Sequence, residues 1–76
     1  MARHIESKTG LKTLYKRVND WVRDMQNQQR HDELNLEEIH YWLLCIEGCI
    51  NEDLAMDEVD YENAPEWFRP LWRGLK

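Results

Sequence analysis

Glu37 and His40 stand three residues apart. On a helix that spacing sets a carboxylate and an imidazole on one face, as in di-metal carboxylate bundles, where two helices each supply a Glu-x-x-His pair. Here the motif occurs once, and the upstream helix offers only Asp20 and Asp24, both off its apolar stripe. A di-metal site would therefore need a dimer seam to assemble it, and a full ligand set is missing, so no metal is expected. The acidic residues 57–62 lack the glycine and the alternating oxygen ligands of a calcium loop. Cys45 and Cys49 lie four apart, sharing a helix face in a geometry poor for a disulfide, and read as two buried free thiols. The two cysteines and the scattered His4, His31 and His40 assemble no nucleophile, base and orienter. Gly10, Gly48 and Gly74 are too far apart for a phosphate loop. No catalytic or cofactor-binding residue emerges, and the expectation is a protein that is not an enzyme.

Binding chemistry is better represented, because charge is segregated along the chain. Residues 1–30 carry seven bases against three acids, residues 31–66 carry twelve acids and no Lys or Arg, and Arg69, Arg73 and Lys76 close the chain. The net charge is −5. Clustered acids steer a basic partner and can occupy a groove that otherwise holds nucleic acid. Glu52, Asp53, Asp57, Glu58, Asp60 and Glu62 are the expected acidic contacts. Trp67, Phe68 and Trp72, set among Arg69 and Arg73, are of the types enriched at binding hot spots; they serve either as partner anchors or as cover for the core. In the opposite sense, Arg3, Lys8, Lys12, Lys16, Arg17 and Arg23 form a basic row suited to phosphates, although the acid block in the same small domain would repel a polyanion.

Two amphipathic helices must position these groups. Leu11, Leu14, Val18, Trp21 and Met25 alternate at three-four spacing, predicting a helix over residues 8–28 with Ser7 or Thr9 at its cap. A turn is expected within residues 26–33. Asn35 then opens a second helix over residues 35–50, with Glu38 as the reciprocal partner of a capping box and Leu34 stapled to Ile39. Its seam is Leu36, Ile39, Leu43, Ile46 and Ile50, widened by Trp42 and the cysteines. Gly48 inside it suggests a close backbone approach or a bend near the helix end, the first being favoured. A short helix is expected over residues 52–59 within the acidic segment 52–62. The aromatic, basic tail 63–76 should dock, with a helix start near Pro65 that Pro70 stops or kinks. Residues 1–7 read as a flexible basic arm.

The expected fold is all-α, one domain over residues 1–76: an antiparallel helical hairpin with a short C-terminal helical tail. A core of this size rarely supplies more than about 3–5 kcal/mol, and the second helix is apolar over most of its circumference, so a homodimer in a four-helix arrangement is expected. No apolar run is long enough to span a membrane, and MARHIESK is charged without a following hydrophobic stretch, which predicts an unprocessed cytoplasmic protein. These features together suggest a small acidic interaction protein that binds and inhibits or modulates a larger partner, in the manner of accessory regulators and phage-encoded inhibitors. A nucleic-acid-binding regulator built on the basic row is the alternative, and a di-metal site at a dimer seam the third reading.

Overall fold

The computed structural model describes residues 4–75. The start of the expected basic arm, with Arg3, and the terminal Lys76 lie outside the described residues. The fold is all-α: α1 (Lys8–Asn27), a 3-10 turn (His31–Glu33), α2 (Leu36–Asn51), α3 (Glu58–Asn63) and α4 (Arg69–Trp72).

α1 follows its apolar spacing. Ser7 caps it by accepting from the Gly10 N–H at 2.9 Å, and Leu11, Leu14, Val18 and Met25 are buried along one face. The helix ends in a Schellman turn: the Gln29 N–H donates to the Gln26 carbonyl and the Arg30 N–H to the Met25 carbonyl, with Gln29 left-handed at φ 58°. α2 begins where its cap residue places it, Asn35 accepting from the Glu38 N–H at 3.1 Å, and it ends in the same kind of turn, with Asp53 at φ 57°. The Lys8 Nζ lies 2.8 Å from the Asp53 carboxylate, so the start of α1 meets the end of α2 and the helices run antiparallel.

Several expectations are corrected. The described part of the arm, residues 4–7, is pinned rather than loose: Ile5 is fully buried and exchanges two backbone hydrogen bonds with Met56, 2.8 and 3.1 Å, placing it over the loop that follows α2. The capping box at α2 is one-sided, because the Glu38 carboxylate turns to accept from the Trp67 indole N–H at 2.6 Å. The helix expected over residues 52–59 starts later. Asp57 caps α3 and forms a full reciprocal box with Asp60, both bonds 3.1 Å, so the chain turns before helix resumes. Pro70 falls in the first turn of α4 and starts a helix instead of stopping one, since its missing N–H would be unpaired there anyway. A Cβ on Gly48 would meet nothing within 4 Å, so no close approach explains that glycine.

The neighbour that α2 requires comes from its own chain. Phe68 is fully buried and Trp72 nearly so, packed with Trp42, Ile39 and Ile46 of α2 and with Leu11, Leu14 and Val18 of α1. Burying one such side chain stabilises by roughly 1.5–3 kcal/mol. Trp67 lies parallel to Trp21, ring centroids 5.0 Å apart, and Phe68 packs tilted on Trp42 at 4.9 Å.

Candidate functional site

The six acids of residues 52–62 divide by role. Glu52 is the C-cap of α2, Asp53 pairs with Lys8, and Asp57 and Asp60 hold the start of α3. Glu58 and Glu62 are exposed, and no cation pairs with either side chain among the described residues. Three of the six expected acidic contacts, the carboxylates of Asp53, Asp57 and Asp60, are thus engaged within the chain itself.

The aromatic anchors are redistributed. Phe68 and Trp72 are core residues and cannot reach a partner from this conformation, because the tail closes over the hairpin and takes their rings inside. Trp67 is half-buried, held by Trp21 and Glu38. The indole N–H of Trp72 is buried with no acceptor among the described residues, its ring edge-on to Tyr61 at 5.4 Å.

Along the seam of α2, Ile39, Trp42 and Ile46 are buried, while Leu43 and Ile50 are half-buried against the core. Leu36 departs from the seam: it is 61% exposed. Tyr41 and Leu44 on the same helix are also more than half exposed, as are Leu54 and, on α3, Val59. Leu36, His40 and Leu44 recur every four residues and share the outward face, flanked by Glu37 and Glu47.

Where the first two turns of α2 meet α3, an open cleft of about 650 Å³ is lined by Glu37, Glu38, Asp60, Tyr41, Trp42 and the amides of Asn35 and Asn63. Tyr41 meets Trp42 edge-on at 5.6 Å. The phenol of Tyr41 is held above its ordinary pKa, first by its hydrogen bond with Cys45 and the charge of that group, then by desolvation and the Asp60 carboxylate. Burial raises the Cys49 thiol, and the negative charges of Asp60, Cys45 and Glu52 add to the shift. Both cysteines are free and half-buried rather than fully enclosed.

The basic row is thinner than its composition. Arg17 donates to the carbonyl oxygens of Leu71 and Arg73, Lys8 is paired with Asp53, and Arg30 forms a two-point contact with Glu33 that raises its own pKa and lowers that of Glu33. Lys12, Lys16 and Arg23 remain outward on α1, the last two beside Asp20. Glu37 and His40 are both exposed, and no group of three or more His, Cys, Asp or Glu side chains among the described residues could hold a metal ion. Nor is any helix of the described residues long and apolar enough to cross a membrane.

Sequence reasoning missed the cleft and the Arg17 contact, both made by residues far apart in the chain. It also passed over Asp57-x-x-Asp60, a readable capping pattern hidden in a run of acids. No protein-family profile matches the chain, and no curated protein or solved structure is significantly similar to it.

Proposed function

We propose that this protein is a non-enzymatic interaction protein that binds a basic surface on a larger protein and modulates it, by inhibition, as an accessory regulator or phage-type inhibitor would. One observation carries the reading: the outward side of α2 and α3 combines exposed apolar side chains, Leu36, Tyr41, Leu44 and Val59, with carboxylates and no Lys or Arg. Exposed apolar side chains at the centre of a like-charged patch supply burial energy on docking, while the surrounding charges steer the encounter and set its specificity. The two free cysteines suit a reducing compartment, and we place the protein in the cytoplasm.

The homodimer is the second reading, favoured by the exposure of Leu36 and Leu44 on the helix that was expected to seek a partner. Nucleic-acid binding is weaker than its composition suggests, since Lys8 and Arg17 of the basic row are committed to contacts within the chain.

A photo-crosslinking residue placed at Leu44 and, separately, at Lys16 separates these readings in cells that produce the protein. The expected result is a crosslink from position 44 to one larger protein, which then forms a salt-sensitive complex with the purified chain that Leu44→Glu weakens. Crosslinks from position 44 only to another copy favour the dimer and overturn the proposal, as do crosslinks to nucleic acid from position 16 alone.

A further inference from the structure

We infer that the cleft between α2 and α3 receives an arginine side chain from a basic amphipathic helix of the partner protein. This rests on the interaction reading above and gives it a defined contact point. Three carboxylates, Glu37, Glu38 and Asp60, line the cleft with the rings of Tyr41 and Trp42, and no Lys or Arg lines it. One oxygen of Glu38 already accepts from Trp67, and one oxygen of Asp60 from the Asp57 N–H. Among the described residues no donor meets the second oxygen of either or the oxygens of Glu37. A guanidinium carries five N–H donors in a plane, so it can bridge separated carboxylates and lie against aromatic rings; a compact cation cannot do both. A bound metal ion is the poorer fit, because these carboxylates do not converge into a group that could ligate one.

The apolar residues beside the cleft extend the same logic. Leu36, Tyr41 and Leu44 on α2 and Val59 on α3 offer a rail for the apolar side chains that flank an arginine on an amphipathic helix. A second copy of this chain is the inferior occupant. A two-fold pairing over this face would bring Glu37 and Glu47 of one copy towards those of the other, in a molecule whose net charge is already −5. Among the described residues its exposed cations on α1, Lys12, Lys16 and Arg23, and those of the tail, Arg69 and Arg73, do not line the cleft.

The test is an NMR titration of the isotope-labelled full chain with three helical peptides of about 16 residues. They carry Leu at i,i+4 spacing and differ only in having Arg, Lys or Gln at the polar positions. The Arg peptide is expected to shift Tyr41, Asp60, Asn63 and the Trp42 indole N–H, to bind several-fold more tightly than the Lys peptide, and the Gln peptide not to bind. Glu37→Gln should weaken the Arg peptide by about two- to fivefold, as expected for an exposed ion pair. Adding Asp60→Asn should deepen the loss to about tenfold while keeping an oxygen for the Asp57 N–H. Lys12→Gln with Lys16→Gln should leave affinity unchanged, and circular dichroism reports whether each variant remains folded. Shifts confined to residues 52–58 would overturn the cleft but leave the interaction reading standing. Failure of both basic peptides at millimolar concentration would overturn both. Concentration-dependent shifts at the cleft without peptide would show a second copy covering it and would also overturn the inference.

Discussion

Arg17 of α1 and Leu71 of α4 are joined by a 3.0 Å hydrogen bond from the guanidinium to the backbone carbonyl, across 54 residues of sequence. The same Nη1 donates to the Arg73 carbonyl at 2.8 Å. A helix of four residues leaves its terminal carbonyls without internal donors, and a cation there satisfies them and complements their partial charge. Arg17 thereby fixes the tail that covers the core.

Removing that contact should loosen the tail before the hairpin. Arg17→Ala is expected to lower stability by about 1–2 kcal/mol, the range for hydrogen bonds to a charged group reduced for partial exposure. Urea unfolding gives the magnitude. Hydrogen exchange should show lost protection in residues 69–75 at denaturant levels where α1 is still protected; uniform loss would mean that the tail and hairpin unfold as one.

Phe68 carries more. Phe68→Ala should cost about 3–5 kcal/mol, comparable to what a core of this size supplies, so the variant is expected to be largely unfolded by circular dichroism at 25 °C. Leu44→Ala, on the exposed side, should stay within about 0.5 kcal/mol of the parent. A folded Phe68→Ala chain would show that the tail is decoration.

Glycine stands where it is not needed and is missing where it would help. Gly48→Ala should stabilise by about 0.5–1 kcal/mol, since it lies within the last turn of α2 with open space at its Cβ position. Gln29→Gly should also stabilise, by relieving a left-handed residue of about 1 kcal/mol of strain at the end of α1. Thermal melts of the two variants and their combination test both, and the gains should add because the sites lie on separate helix ends.

Alkaline pH should weaken the fold through Cys49. Its thiol is raised above the ordinary value of 9.0, so the folded chain keeps this proton at a pH where the unfolded chain has released it. The contribution is intact below about pH 9 and is lost as pH rises through the folded value. Stability from urea curves should fall between pH 8 and pH 10, and fall less in Cys49→Ala. At pH 8 the Cys49 thiol should alkylate more slowly than a cysteine in a short peptide; an equal rate would show that burial does not protect it.

What the sequence made legible was local. The stripe Leu11, Leu14, Val18 and Met25 and the cap at Asn35 depend on neighbours within a few residues, and both helices run almost where the spacing places them. Ile5 was read as part of a loose arm because nothing near it reveals Met56, fifty-one positions later. Glu38 had two available partners, its own helix cap and Trp67, and only the folded tail brings the second within reach. Likewise, aromatic residues in an amphipathic tail carry the same composition whether they face a partner or a core. The docking of the tail assigns Phe68 and Trp72 to the interior. The cleft required both the late start of α3 and the outward turn of Tyr41, neither of which periodicity encodes.

The parallel indoles of Trp21 and Trp67, 5.0 Å apart and 3° from coplanar orientation, have an optical consequence. Stacked faces exclude water from both rings, so undocking the tail re-exposes them and changes their near-ultraviolet absorption and fluorescence. One indole belongs to α1 and the other to the segment leading into α4. The molecule therefore contains an unlabelled reporter of whether its two ends are in register.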